Sequence, residues 1–170
     1  MSAIGSNLCL GIVLGWLKQA MAMEGQTRQE ITQNLAYVVQ HGTNAGYVNL
    51  EGAVAVATQL LGLGNPIRSV DGQIEWLLGS VDAQAVGENR HAFHSGLRLG
   101  RLQQGARDGS LPIWDATRFL VELADHATRA GFTGFQPSVT SAQVELSTGR
   151  PLASIADELA RLTGVLQNQC

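Results

Sequence analysis

The sequence predicts a helix-rich α+β fold in which a long central helix packs beside a small antiparallel sheet, with an all-α helical bundle as the alternative. Three observations lead there. Apolar residues from Leu8 to Leu17 cover too much of a helical wheel for a surface helix, so this segment is expected to be buried. Several other stretches repeat apolar residues at helical spacing between good caps and stops. Two segments of the second half, around Leu97 and Leu99 and in "SAQVELS", alternate apolar and polar residues as strands do. At 170 residues and 18.0 kDa the chain suits a single domain, 1–170, and no internal repeat or low-complexity tract stands out.

Taken in order, the first helix runs from Ser6 to about Met23, with Ser6 or Asn7 as its cap. The second opens on "TRQE", where Thr27 and Glu30 have the spacing of a capping box, and carries Ile31, Leu35, Val38 and Val39 until Gly42. "HGTNAGYVNLEG" has loop composition, after which Asn49 caps a third helix through Val54, Val56, Leu60 and Leu61 that ends at "GLGNP". A short helix, "DGQIEWLLGS", follows. The segment "HAFHSGLRLGRLQQGARDGSLPIWD" reads either as strand, turn and strand or as two helices joined at Asp-Gly-Ser. Leu97, Leu99 and "LPIW" favour strands, because Pro112 suits no helix interior; Phe93, Leu97 and Leu102 also fit one helical face. Asp115 caps a helix with Phe119, Leu120, Leu123 and Ala127 on one face, stopping at Gly131. "SAQVELS" reads as a strand, and Pro151 introduces a last amphipathic helix through Leu166.

Composition removes several function classes. A net charge of −3 with 15% charged residues leaves no basic footprint for nucleic acid. The apolar run is broken by Gly11 and Gly15 and is shorter than the ~20 residues of a membrane span, so the chain reads as soluble. Cys9 and Cys170 form no disulfide framework and no zinc spacing; no metal or cofactor is expected, and a reducing compartment is the simpler assumption. Gly62, Gly64, Asn65 and Pro66 look like a phosphate cradle only superficially, since they follow a predicted helix instead of opening one after a strand.

Cys9 is the residue with the most chemical promise. A thiol attacks as its thiolate, and the first turn of a helix lowers its pKa through unpaired N–H groups and the helix dipole. With Ser6 or Asn7 as cap, Cys9 stands in that turn. It then needs an imidazole as base and an acid to orient it. Of four histidines, His41 reads as a C-terminal cap and His126 as part of a solvated face, leaving His91 and His94 in "ENRHAFHSG", with Asp108 and Asp115 downstream.

"GSNLCLGIVLGWLK" resembles the nucleophile segment of the YopT-type cysteine proteases, papain-like effectors that bacterial secretion systems deliver into host cells. Cys9, Ile12 and Trp16 carry the resemblance, as the cysteine that opens the central helix, an aliphatic residue three positions on and a tryptophan seven positions on. It implies a papain-like helix plus a small antiparallel sheet, a histidine in an "HA" pair that matches His91-Ala92, and an aspartate about one hairpin later that matches Asp108. The family's aspartate begins an Asp-Pro-Asn segment after an apolar strand, whereas Gly109 and Ser110 follow Asp108, and Asp115 has the apolar lead-in. His94 and Asp115 therefore stay open as alternates.

Two readings follow. In the first, the chain is a thiol hydrolase, a cysteine protease or related acyl-transfer effector: Cys9 attacks, His91 or His94 moves the proton, and Asp108 or Asp115 orients the ring. Backbone N–H groups near Cys9, with Asn7, hold the oxyanion. The resemblance implies a peptide substrate. In the second, it is a non-enzymatic helical protein–protein interaction module, such as a secretion-associated adaptor or immunity-type protein. Cys9 then belongs to the core and the Gly- and Gln-rich loops face a partner protein. Either suits a cytoplasmic chain, or one secreted into a host or target cell. Cys170 is expected on a flexible tail.

Overall fold

The computed structural model describes residues 2–170, and among them there is no strand. Eight α-helices follow one another: α1 (Ala3–Met23), α2 (Arg28–Asn44), α3 (Glu51–Gly62), α4 (Asp71–Gln84), α5 (Gly87–Asp108), α6 (Ile113–Arg129), α7 (Gln136–Ser147) and α8 (Ala156–Gln167). Short 3₁₀ turns, Ile67–Val70 and Leu152–Ile155, lead into α4 and α8. The expected small antiparallel sheet, and with it the papain-like α+β class, is corrected to an all-helical fold.

Each misread strand has a physical reason. In "SAQVELS", Val144 is 57% exposed while Ala142 and Leu146, together with Val139 just before the segment, are buried, so the buried set has helical spacing and the alternation is accidental. The segment holding Leu97 and Leu99 lies inside α5, whose inner face is built largely of small residues, Ala92, Ser95, Gly96, Gly100 and Gly105. Pro112 supplies the extended residue before α6, a position where its missing N–H costs nothing. Asp115 consequently sits in the first turn of α6 and does not cap it.

The helix starts differ too. The cap of α1 is Ser2, whose side chain accepts from the Gly5 N–H, so Cys9 lies well beyond the first turn. Asn49 adopts a left-handed conformation (φ 64°) before α3 and provides no side-chain cap. The Thr27–Glu30 capping box of α2 forms with both reciprocal bonds.

The element order contains an internal repeat, which corrects the expectation of none. Helices α2, α3, the 3₁₀ turn and α4 begin at Arg28, Glu51, Ile67 and Asp71; α6, α7, the second 3₁₀ turn and α8 begin at Ile113, Gln136, Leu152 and Ala156, each 85 residues later. Left-handed backbone positions recur at the same spacing: Glu24 and Gly109, Gly46 and Gly131, Asn49 and Gly134, Gly64 and Gly149. "GIVLGWLKQ" at 11–19 answers "GLRLGRLQQ" at 96–104, and "HGTNAGY" at 41–47 answers "HATRAGF" at 126–132. The chain is two four-helix units related by duplication.

The units join through α1 and α5, the most extensive helix contact in the molecule. Gly11 lies against Phe93, Gly96 and Leu97, and Gly15, one turn on, lies against Leu97, Gly100 and Arg101. Advancing four residues on one helix advances four on the other, so the two run parallel, with backbones in contact where glycine leaves no Cβ between them. Each unit has its own core: one gathers Leu10, Leu14, Leu17, Ile31, Leu35, Ile74 and Leu77, the other Leu99, Leu102, Leu120, Leu123, Leu159 and Leu162. Leu8 and Ile12 of α1 enter the second core and Phe93 of α5 enters the first, so neither core is complete without the other half's central helix.

Candidate functional site

The 85-residue repeat places two equivalent side-chain clusters on the molecule. In the first, α1 forms the floor and α2 and the end of α8 the walls; Cys9, Ile12, Val13 and Trp16 meet Tyr37, His41 and Gln167 around a small pocket of about 160 Å³. In the second, α5 is the floor and α6 and the end of α4 the walls. There His94 replaces Cys9, His126 answers His41, and Asp82 answers Gln167.

Sequence-predicted residues are distributed over both clusters and beyond. Burial raises the pKa of the Cys9 thiol, and a hydrogen bond with the Gln167 side chain opposes this only in part. The Nδ1 of His41, in the same pocket, is buried without a hydrogen-bond partner, and burial lowers the pKa of that ring. His91 and Asp108 lie near opposite ends of α5, 17 residues apart and so separated by roughly 25 Å at the helical rise. His91 instead brings its Nδ1 to 3.0 Å from Nδ1 of His126. Asp108 accepts from the Ser110 N–H at 2.9 Å and from Gln104 Nε2 at 3.0 Å, closing the turn after α5. The Cys9–His91–Asp108 triad is not assembled.

The alternates are engaged elsewhere. His94 bonds through Nε2 to Asp82 at 2.6 Å and stacks on His126 with ring centroids 5.0 Å apart. Asp115 accepts from Arg118 at 3.1 Å on the surface of α6. Asn7 is fully buried; its Nδ2 donates to the Ala3 carbonyl at 2.9 Å and its Oδ1 accepts from the Tyr47 hydroxyl, which holds the amide inside the protein. The structure does bring three histidines together, but with Asp82, Arg98 and Glu122. Arg98 donates to Glu122 at 2.8 Å, and Arg90 grips Asp82 through two bonds at 3.0 and 2.9 Å. Burial, then the charges of His94, Arg98 and His91, push the pKa of His126 down to about 4.

The feature that sequence reading missed is a cleft lined by side-chain amides. A cleft of about 550 Å³ opens between α2 and α5 beside Trp16 and is lined by Gln26, Gln29, Gln33, Asn34, Gln103 and Gln104, with Glu30 and Arg107 at its end. Gln26 and Gln104 are only 5% and 3% exposed. Asn34 donates to Gln26 at 2.9 Å, Gln26 to Gln104 at 3.0 Å, and Gln104 to the Gly25 carbonyl at 3.1 Å as well as to Asp108, so each amide plane is held by the next. Gln103 accepts from the Trp16 indole N–H at 2.7 Å and donates to Thr163 at 2.7 Å, fixing the ring. Arg107 binds Glu30 at 2.7 and 3.0 Å; that guanidinium, with the Thr27 N–H, holds the carboxyl down at about 2.

Compared with models of known protein families, with curated proteins and with solved structures, the chain matches none. No helix among the described residues is long and apolar enough to cross a membrane. Among the same residues no three His, Cys, Asp or Glu side chains gather as a metal site. The "GLGNP" segment is no cradle for an anion: its carbonyls at Gly64 and Asn65, with that of Leu61, accept from the Arg28 guanidinium.

Proposed function

We propose that this chain is a non-enzymatic helical interaction module that holds a partner protein, of the kind an adaptor or immunity-type protein provides. The observation that carries this reading is the state of Cys9. It sits in the body of α1, away from the field of the helix start, and burial disfavours its thiolate. The acids and the imidazole singled out for a hydrolase have other partners, Asp108 its own turn, Asp115 Arg118 and His94 Asp82, while His41, which does line the Cys9 pocket, is made a weaker base by burial. With burial raising the thiol pKa, Cys9 stays mainly in the neutral thiol form at neutral pH.

The rate of iodoacetamide labelling at Cys9 as a function of pH, in a chain carrying Cys170→Ser, tests the reading. The expected midpoint lies above the ~8.5 of a free thiol, with slow labelling at neutral pH. Rapid labelling with a midpoint well below that value overturns it and returns the chain to the thiol-hydrolase reading, with His41, the imidazole that lines the same pocket, as the base to examine.

A further inference from the structure

The amide-lined cleft has an internal control in the other half of the molecule. At the positions equivalent to Trp16, Gln26, Gln33 and Asn34 stand Arg101, Leu111, Arg118 and Phe119. Phe119 is buried at 4% exposure, and the guanidinium carbons of Arg101 and Arg118 lie 4.7 and 5.4 Å from its ring centroid. One side is packed with its own side chains; the other stays open with the same backbone. The opening is therefore a property of the side chains chosen there and not a requirement of the fold.

What those side chains recognise follows from their chemistry. A carboxamide offers one acceptor and two donors and carries no charge. The one ion pair in the cleft, Glu30 with Arg107, neutralises itself through two hydrogen bonds, so a charged ligand finds no free counter-ion. Gln26 and Gln104 are spent on holding the wall rigid, while Asn34 keeps its Oδ1, and Gln29 and Gln33 keep their amides, for a ligand. Such a surface suits a neutral molecule in which donors and acceptors alternate. An extended polypeptide backbone has that pattern.

The dimensions agree. Trp16 lines both the cleft and the smaller pocket of about 160 Å³, where Ile12 and Val13 offer apolar contact beside Tyr37, Cys9 and His41. From Glu30 to His41 the wall helix spans eleven residues, roughly 16 Å, which matches about five residues of extended chain.

We propose that the amide-lined cleft, together with the pocket beyond Trp16, binds an extended, uncharged polypeptide segment of a partner protein. This rests on the interaction-module reading and names its working face. The test is selection of displayed random-sequence peptides of about seven residues on the immobilised full chain, with affinities then measured by fluorescence anisotropy for the wild type, Asn34→Phe and Gln33→Arg. Asn34→Phe and Gln33→Arg copy Phe119 and Arg118, which the same backbone already carries in the other half. Arg118→Gln, on the closed side, is the control.

The expected result is enrichment of uncharged peptides with one apolar anchor that bind Asn34→Phe and Gln33→Arg at least about tenfold more weakly and bind Arg118→Gln as they bind the wild type. A thermal melt of each variant shows which are folded, and loss in either folded cleft variant suffices. Failure to enrich any peptide, or equal binding to the closed-cleft variants, overturns the proposal. So does a disaccharide panel of cellobiose and diacetylchitobiose shifting the Trp16 indole resonance where peptides do not. These outcomes are separable from the labelling experiment: a slowly labelled Cys9 with no peptide selected removes this face alone, whereas a fast one removes the module reading itself.

Discussion

Gly100→Ala isolates the contact that joins the two halves. A Cβ built at Gly100 stands 2.1 Å from the carbonyl oxygen of Ile12, 2.9 Å from its carbonyl carbon and 3.0 Å from its Cα. All three are backbone atoms of α1, so no rotamer change relieves the clash. The helices must part by roughly 1 Å to restore van der Waals separation, loosening contacts along a tightly packed interface. Overpacking costs typically 1–3 kcal/mol, and backbone against backbone places this site at about 3 or above. Alanine returns about 1 kcal/mol of helix propensity, which leaves a net loss of about 2–3 kcal/mol. For a chain of this length that corresponds to a fall in Tm of roughly 4–12 °C. Gly79→Ala is the matched control: it lies in α4 with nothing within 4 Å of the added Cβ, and a gain of about 0.5–1 kcal/mol is expected. Thermal and urea unfolding followed by circular dichroism and tryptophan fluorescence measure both. If Gly100→Ala raises Tm as Gly79→Ala does, the parallel glycine seam is not what joins the halves.

Asn7→Ala and Tyr47→Phe each leave one enclosed polar group without its partner and are expected to cost about 1–2 kcal/mol. The double variant rebuilds the Ala92–Phe132 pair of the other half, and its cost in urea unfolding should fall below the sum of the singles; simple additivity would contradict the pairing. His126 has a folded pKa of about 4, lowered first by burial and then by His94, Arg98 and His91, against an unfolded value near 6.5. Protons therefore bind the unfolded chain more tightly, so the His126 contribution is complete above pH ~6.5 and is lost as pH falls toward ~4. The whole shift would be worth about 3 kcal/mol, and screening at this half-buried ring reduces it to about 1–2. His126→Asn should flatten the fall in urea midpoint between about pH 7 and 5, and an unchanged slope would exclude His126 as its source.

Helices α2 and α6 are legible in the sequence because one stripe of large apolar residues does their packing, as with Ile31, Leu35 and Val38. Helix α5 is not, because it buries glycine, alanine and serine against another backbone, and apolar-pattern reading assigns such residues no weight. The duplication escapes notice because its shared residues are scattered: the seam glycines Gly11/Gly96 and Gly15/Gly100 and core residues such as Leu14/Leu99, Leu35/Leu120 and Leu61/Leu146 recur one by one, while most surface residues between them differ. Cys9 attracts attention through a local resemblance, yet its chemistry depends on where the helix begins, and Ser2 sets that four residues before Ser6. The amide cleft was invisible for a topological reason. Gln26 and Asn34 belong to the start of α2 and its approach, Gln103 and Gln104 to the end of α5, and only the parallel seating of α5 on α1 brings them together.

Comparison of the halves also bears on why Cys9 is there. Partners have changed in pairs: Asn7 with Tyr47 becomes Ala92 with Phe132, Val13 with Tyr37 becomes Arg98 with Glu122, and Gln26 with Asn34 becomes Leu111 with Phe119. Cys9 with Gln167 becomes His94 with Asp82. In each pair, where one position carries a polar group its neighbour supplies a polar group to meet it, as a buried hydrogen-bonding group requires. The position of Cys9 is thus one at which the central helix meets the end of the opposite unit's last helix, filled by whichever residue that end can satisfy. On the interaction-module reading proposed above, a thiol beside a glutamine and an imidazole beside an aspartate are two solutions to one packing problem. A catalytic origin for Cys9 would have to explain why its equivalent is a histidine already committed to an aspartate, in a cluster whose remaining charges are paired among themselves.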